Sequence, residues 1–292
     1  MTKAKWFVAI TLLWCSLPLF ALNNRSAVSI NGLDTNPCTV ASPCRSFSTA
    51  MLVTTDKGEI VALDTAGYGP FTIAQNVTVS GATGIHAAIT ATSGNGITIN
   101  GGSRVYVQNL YILGGGTGGI GIAEGGALRV FISNCFIQGF VGAGIQGTVA
   151  AVFVDHSYIA DNGAGIDFAP SSGSVDHCQI LQNITGVHVG TSVAGSSIIE
   201  VTLNDLAIRY STVGVAVDAP NGGKSVVCNI EHSSITQNNN GLHLTATPGT
   251  IVVNLTHNFI EHADGSGAYT ANTAGTNTII SNTLALTAMP LL

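Results

Sequence analysis

The chain has 292 residues, of which 8% are charged, and its formal net charge at pH 7 is −6. Hydrophobic residues make up 46% of it, a content that excludes an intrinsically disordered chain. Its nine lysines and arginines are scattered along an acidic sequence, which excludes a surface that tracks nucleic-acid phosphates.

The N-terminal segment has the pattern of an export signal. Lys3 and Lys5 precede an apolar run from Trp6 to Phe20, and Ala21 offers a small residue for cleavage. The run has about 15 residues, whereas a membrane-spanning helix needs about 20. We therefore expect residues 1–21 to be a signal peptide, and the mature chain to be secreted, periplasmic or on the cell surface, with no membrane span.

Residues 22–58 are expected to form an N-terminal cap. Cys38 and Cys44 lie six residues apart in a segment kinked by two prolines, and export permits a disulfide between them. The stretch 46–54 is the one credible helix before the repeats. Its apolar face would plug the open end of a repeat array, a cap that such arrays require; that face carries Phe47, Ala50, Met51 and either Val53 or Thr54.

From residue 103 onward the chain is self-similar. Each unit has a polar residue, here called the marker, an aliphatic residue three positions later, and a glycine nine or ten positions later. The markers are Asn109, Asn134, His156, His177, Asp205, His232, His257 and Ser281. The aliphatic residues are Ile112, Ile137, Ile159, Ile180, Ile208, Ile235, Ile260 and Leu284. The repeat length, counted from one marker to the next, is typical of a solenoid.

Each unit contains three short apolar pairs at a spacing of two, separated by bends rich in Gly, Asn and Asp. Three strands per turn give a triangular coil whose turns stack as parallel strands about 4.8 Å apart. Residues 59–292 are therefore expected to form an all-β, three-sheet parallel β-helix of about nine turns, with irregular starting turns over 59–63, 71–73, 77–79 and 96–99. The unit length varies mainly after the glycine, which predicts variable loops at one corner.

The units at 159–166, 180–187 and 235–242 resemble the parallel β-helix repeat of the pectate-lyase-like superfamily, and the resemblance extends over about residues 31–285. It implies a right-handed coil of the kind found in secreted bacterial proteins. The superfamily includes pectate lyases, polygalacturonases and mannuronan epimerases, so the resemblance also implies a polysaccharide as partner.

One column of the repeat follows each glycine, as the third residue of the pattern Gly-apolar-x-apolar. It runs through Thr98, Gly121, Gln146, Asp167, His188, Ala216, His243 and Tyr269. In polysaccharide-active relatives this sheet and its loops form the substrate groove. Gln146, Asp167 and His188 are therefore the candidate catalytic residues, since an acid lies beside a titratable base. His243 and Tyr269 are candidate substrate contacts. The alternative is the solvated face of a strand.

A second column, two residues after the marker, carries Tyr111, Phe136 and Tyr158 on consecutive turns. These rings are candidate substrate contacts, because aromatic rings form platforms for sugars. The alternative interpretation is that the rings stack on one another along the sheet.

The marker column holds two adjacent-turn histidine pairs, His156 with His177 and His232 with His257, which would suit a metal. Asn and Asp replace His in the same column, and the pattern shows no third ligand. We therefore expect a polar ladder at a tight corner and no metal site. A second polar ladder is expected one corner further on, formed by Asn162, Asn183 and Asn238. Three free cysteines are expected to be buried in the core, namely Cys135, Cys178 and Cys228.

The residue sets of related enzymes are missing from the sequence, which has no Asp-Asp pair, no Gly-His-Gly and no Arg-x-Lys. The sequence thus favours a non-catalytic protein that binds carbohydrate or serves the cell envelope, with no cofactor. The alternative is a polysaccharide lyase, glycoside hydrolase or epimerase with a divergent site on the Asp167/His188 face, for which calcium is a possible cofactor in the lyase case. A third hypothesis is an oligomer formed through the C-terminal end of the coil.

Overall fold

The computed structural model describes residues 22–102, 104–168, 170–190, 198–219, 225–280 and 283–288. The predicted signal peptide and the marker Ser281 lie outside these ranges. One helix, α1 (Phe47–Val53), and 29 strands are found within them. In chain order the strands are β1 (Asn23–Val28), β2 (Thr54–Ala62), β3 (Ala66–Tyr68), β4 (Phe71–Ile73), β5 (Val77–Gly81), β6 (Ala87–Thr90), β7 (Ile97–Ile99), β8 (Arg104–Gln108), β9 (Tyr111–Gly118), β10 (Ile122–Glu124), β11 (Arg129–Ser133), β12 (Phe136–Phe140), β13 (Ala143–Gly147), β14 (Ala151–Asp155), β15 (Tyr158–Ala160), β16 (Ala164–Phe168), β17 (Gly173–Asp176), β18 (Gln179–Leu181), β19 (Thr185–Val189), β20 (Ile199–Asn204), β21 (Ala207–Arg209), β22 (Val213–Asp218), β23 (Ser225–Glu231), β24 (Ser234–Thr236), β25 (Asn240–Thr256), β26 (Phe259–Glu261), β27 (Ala263–Ala274), β28 (Thr278–Ile280) and β29 (Leu286–Ala288).

The strands stack in three parallel sheets, as the repeat predicts. Sheet I contains β1, β2, β5, β8, β11, β14, β17, β20, β23, the second halves of β25 and β27, and β29. Sheet II contains β3, β6, β9, β12, β15, β18, β21, β24, β26 and β28. Sheet III contains β4, β7, β10, β13, β16, β19, β22 and the first halves of β25 and β27. Sheets I and III are continuous, because β25 and β27 run from one into the other.

Each regular turn passes from sheet I to sheet II through a single marker residue in the left-handed conformation. Seven markers have this conformation, with φ between 46° and 55°: Asn109, Asn134, His156, His177, Asp205, His232 and His257. Asn, Asp and His adopt it more often than most other residues, which explains their use at this corner. Two less regular turns precede these seven, so the regular part of the coil in the described residues has about seven turns, slightly fewer than the nine predicted.

Aliphatic side chains fill the interior of the coil. The column three residues after the marker stacks in register from turn to turn, and its members from Ile112 to Ile260 are fully buried. Each turn buries its inner face against its neighbours, so stability accumulates along the stack. The free cysteines are part of this interior, as predicted: Cys135, Cys178 and Cys228 are all buried.

The predicted short helix is present. Ser46 caps the N-terminus of α1 by accepting a hydrogen bond from the Thr49 backbone N–H. Phe47 packs its ring against Phe71 at 4.8 Å, which closes the first turn. The disulfide joins Cys38 to Cys44. Among the described residues, no helix has the length and apolar character needed to cross a membrane.

Strand β1 extends the coil into the cap, since it pairs in parallel with β2. Strand β2 begins at Thr54, directly after α1 ends at Val53, so the helix leads straight into the coil.

The second polar ladder is confirmed at the corner between sheets II and III. The Asn183 side-chain oxygen accepts hydrogen bonds from the backbone and side-chain nitrogens of Asn162, at 2.9 and 3.2 Å. Ser211 continues the ladder by donating its backbone N–H to Asn238 at 2.9 Å. These buried amides satisfy backbone groups that the tight corner leaves unpaired.

At the C-terminal end the repeat departs from the predicted spacing. Ile279, not Leu284, pairs with Ile260. The corner above His257 is taken by Gly275, with φ of 65°, whose Cβ position lies 2.6 Å from the His257 ring. Glycine adopts this conformation without a polar side chain, so the marker pattern does not reveal it.

Candidate functional site

The candidate site is a row of polar side chains on the outer face of sheet III. Gln146 on β13, Asp167 on β16 and His188 on β19 lie directly opposite one another in the parallel register. The residues that flank each of them point into the core, so these three side chains point outward, as predicted. Their strands are about 4.8 Å apart, which brings the side chains within hydrogen-bonding reach.

A continuous hydrogen-bond chain runs along this row. Gln146 donates from Nε2 to Asp167 Oδ2 at 3.2 Å. Asp167 Oδ1 lies 2.7 Å from His188 Nδ1, and His188 Nε2 lies 3.1 Å from Asp218 Oδ1. Both ring nitrogens of His188 are therefore engaged by carboxylates. We call these four residues the sheet III row.

Sequence reasoning missed Asp218. It ends β22, two residues after Ala216, the residue that pairs with His188. Residues two apart on a strand face the same way, so the alternation itself points Asp218 toward the row. Gly190 makes room for this carboxylate, because a Cβ at that position would lie 1.8 Å from Asp218 Oδ1 and 2.8 Å from His188 Nε2.

The electrostatics of the row hold His188 in its charged form. Partial burial opposes the charge, but the hydrogen bonds and Coulombic attraction of Asp167 and Asp218 outweigh it and raise the pKa of His188 to about 9. The side chains of His188 and Asp167 are only 29% and 18% exposed, so solvent screens this pair weakly. At neutral pH the imidazolium lies between two carboxylates.

A second histidine–aspartate pair lies on the same sheet near its C-terminal end. His243 Nδ1 is 2.5 Å from Asp264 Oδ1, and His243 Nε2 is 3.1 Å from the Thr245 hydroxyl. His243 shares the column of Gln146, Asp167 and His188, as predicted, but Ala216 separates it from His188.

The predicted placement of Tyr269 in this column is wrong, because Asp264 pairs with His243 and Tyr269 pairs with Ile251 in sheet I. The corner before Asp264 is shorter than in earlier turns: Asp264 comes two residues after the left-handed residue His262, whereas His243 comes six after Gln237. Nearer the N-terminus, Ala123 rather than Gly121 occupies the column.

The predicted aromatic column forms a stack on the outer face of sheet II. Tyr111 and Phe136 have ring centroids 5.4 Å apart, and Phe136 and Tyr158 are 4.8 Å apart with planes 5° from parallel. His86, which the sequence pattern did not include, extends the stack at 4.2 Å from Tyr111. Neighbouring rings cover one another's faces, so the stack stabilises the sheet and leaves mainly ring edges open.

A third surface, on sheet I, was not predicted. Tyr106, Phe131 and Phe153 stack with centroid separations of 4.8 and 5.0 Å. Arg104 and Arg129 are paired at the start of the same strands. The sequence contains a pattern that could have revealed this stack, because Tyr106 and Phe131 each lie two positions after one of these arginines. Phe153 on β14 continues the stack.

Comparisons with known proteins agree with this architecture. A family model described as "Right handed beta helix region" matches residues 67–206. The solved structure of pectate lyase Pel9A superposes with a TM-score of 0.65 at 16% identity, covering 93% of this chain and 79% of that one. The chain therefore has the right-handed parallel β-helix fold.

Two further solved structures share the fold of this β-helix. XylC in complex with xylose has a TM-score of 0.59 at 10% identity, covering 87% of this chain and 69% of that one. An alginate lyase from Paenibacillus sp. strain FPU-7 has a TM-score of 0.55 at 15% identity, covering 88% and 96%. A search of curated protein sequences gives no match. Sequence identities this low indicate a shared fold but do not indicate a shared reaction.

Proposed function

We propose that this β-helix binds a polysaccharide along the outer face of sheet III and does not cleave it. The observation that carries the proposal is the sheet III row, in which Gln146, Asp167, His188 and Asp218 present hydrogen-bonding groups across four turns. Such a row spans about 14 Å, given a strand spacing of about 4.8 Å. An extended glycan lying along the coil axis would meet a hydrogen-bonding group at each turn.

The charges of the row favour a neutral, hydroxyl-rich glycan. Asp167 and Asp218 bring two negative charges against the single positive charge of His188, and the whole chain carries −6. Carboxylates accept hydrogen bonds from sugar hydroxyls, whereas a uronate chain would be repelled. His188 also lies between the two carboxylates, so they do not converge on a common point as the ligands of a calcium ion do.

The geometry of His188 is the reason for proposing binding without catalysis. A general base needs a free ring nitrogen within reach of the proton that it removes. Both nitrogens of His188 face carboxylates, and the raised pKa keeps the ring protonated at neutral pH. A residue in this state orients the two aspartates and has no vacant position for a substrate proton.

A second candidate function is that of a polysaccharide lyase, hydrolase or epimerase. One observation favours it, namely the hydrogen bond of 2.7 Å between Asp167 and His188 on the outer face of sheet III. The solved structures of pectate lyase Pel9A and the alginate lyase share this fold. Catalysis would require Asp218 to leave His188 when substrate binds.

The location of action is also part of the proposal. The pattern of residues 1–21 supports export, and a surface that binds polysaccharide fits a secreted, periplasmic or cell-surface protein. Localisation of a full-length fusion in fractionated cells tests this point.

The experiment is a glycan array probed with the mature chain, residues 22–292, with and without calcium. Gln146→Ala and Asp167→Asn are expected to weaken binding at least about fivefold, since the first removes a hydrogen-bonding group of the row and the second replaces a charged acceptor oxygen with an amide donor. The matched control is Gln179→Ala on the outer face of sheet II, which should leave binding unchanged. Binding that is equal in all these proteins would place the glycan elsewhere, and failure to bind any glycan would refute the proposal.

A further inference from the structure

The marker corner between sheets I and II holds histidine side chains that have no role in the proposed carbohydrate binding. His156 and His177 occupy this corner on consecutive turns, with φ of 46° and 51°. The shared backbone conformation directs both side chains the same way, and their rings stack with centroids 4.7 Å apart. Both histidines are exposed, so each imidazole has room to turn about its side-chain bonds.

Asp155 supplies an acidic oxygen to this histidine pair. Its Oδ1 lies 2.7 Å from His156 Nδ1 and 3.4 Å from His177 Nδ1. These three ligand atoms all lie within 4.8 Å of one another, and they form the one such group among the described residues. Sequence reasoning saw no third ligand because Asp155 precedes the marker and belongs to the neighbouring column.

The second nitrogen of His177 has its own partner. His177 Nε2 lies 3.4 Å from Asp205 Oδ2, on the next turn of the corner. A metal-bound histidine commonly points its other ring nitrogen at a carboxylate, which fixes the tautomer and makes the ligand more basic. His177 is therefore placed between a shared ligand position and an orienting acid.

We propose that Asp155, His156 and His177 bind one divalent transition-metal ion, with Asp205 orienting His177. Two imidazoles and one carboxylate form a ligand set suited to zinc, and also to nickel or copper. Zinc bonds of about 2.0–2.2 Å place tetrahedral ligand atoms roughly 3.3–3.5 Å apart, a spacing that small rotations of these exposed side chains provide. Water completes the coordination, because the site is open to solvent.

The proposed ion joins two turns of the coil, since Asp155 and His156 belong to one turn and His177 to the next. The site lies at the corner between sheets I and II, whereas the candidate glycan-binding row lies on sheet III. A ligand that binds only the folded coil stabilises it, and the stabilisation grows with the logarithm of the free ligand concentration once that concentration exceeds the dissociation constant. Zinc is therefore expected to raise the melting temperature.

The test is a calorimetric titration of the mature chain with zinc chloride, using protein without a polyhistidine tag. We expect one equivalent to bind, together with a zinc-dependent rise in melting temperature. His156→Asn, His177→Asn and Asp155→Asn should each lower the affinity more than about tenfold, and Asp205→Asn about tenfold. Asparagine is chosen for the histidines because Asn109 and Asn134 hold the same left-handed corner, so these variants should fold.

The chain offers a matched control at the same corner. His232 and His257 stack with centroids 5.0 Å apart but do not belong to a three-ligand group among the described residues. His232→Asn and His257→Asn should leave zinc binding unchanged. Absence of zinc binding, equal binding in the Asp155, His156 and His177 variants, or an equal loss in the two control variants would each overturn the proposal.

Discussion

Replacing His188 with glutamine should remove a stabilising contribution that depends on pH. In the folded chain the pKa of His188 is raised to about 9 from its ordinary value of 6.5, so folding favours the protonated ring. The contribution is fully present below pH 6.5 and is lost as the pH rises through about 9. The wild-type chain should therefore lose stability relative to His188→Gln over this interval.

The size of the effect follows from the same two pKa values. Their difference corresponds to about 3 kcal/mol. Asp218 is 38% exposed, and solvent screening at that side of the ring reduces the expected contribution to about 1–2 kcal/mol.

Two measurements examine this prediction. NMR titration of the histidine ring signals, with the His188 resonance assigned by its absence in His188→Gln, should show one histidine that titrates near pH 9. Urea unfolding of both proteins across the same pH range should show that the difference between their free energies of unfolding decreases as the pH rises. A His188 that titrates below pH 7 would refute the assignment of two carboxylate partners to its ring.

Four further outcomes are expected elsewhere in the chain. Ile180→Ala empties a fully buried position and should lower the free energy of unfolding by about 2–5 kcal/mol in urea titrations; a loss below 1 kcal/mol would contradict the core packing. Asn183→Ala should cost about 1–3 kcal/mol in the same assay, because it leaves buried backbone and amide nitrogens unpaired, whereas exposed Gln179→Ala should cost little. Gly190→Ala should displace the carboxylate opposite His188 and lower the pKa measured for that ring; an unchanged NMR titration would count against the contact. Cys135, Cys178 and Cys228 should react with a thiol reagent only after denaturation, because burial raises the pKa of each thiol to about 12; rapid labelling of these residues in the native protein would contradict this.

The sequence predicts most of the coil because each turn repeats the same strand alternation and the same corner conformation. Strand alternation sets which residues point inward, and the single-residue corner requires a left-handed conformation that selects a small group of residue types. The prediction fails where a different residue type occupies the corner or where a corner has a different length. Gly275 adopts the corner without a polar side chain, and the shortened corner before Asp264 moves the column away from Tyr269.

The candidate site was predictable only in part for a related reason. Register along one column brought Gln146, Asp167 and His188 together, but Asp218 and Asp155 reach their histidines from neighbouring columns. Residues of one column contact each other along the coil axis, whereas these two contacts run across the axis and are not visible within a single column. The side-chain geometry of Asp218 also changes the chemical interpretation, because it occupies the ring nitrogen that a general base would need.

The central claim is that the outer face of sheet III binds a neutral glycan and leaves it intact. The most direct measurement uses a glycan whose binding is weakened in Asp167→Asn. The glycan is recovered after prolonged incubation with the wild-type chain and its mass is measured by mass spectrometry. If this claim is correct, the glycan will be recovered at its original mass. Shorter or unsaturated chains that appear with wild type and disappear with Asp167→Asn would contradict it and establish the enzyme.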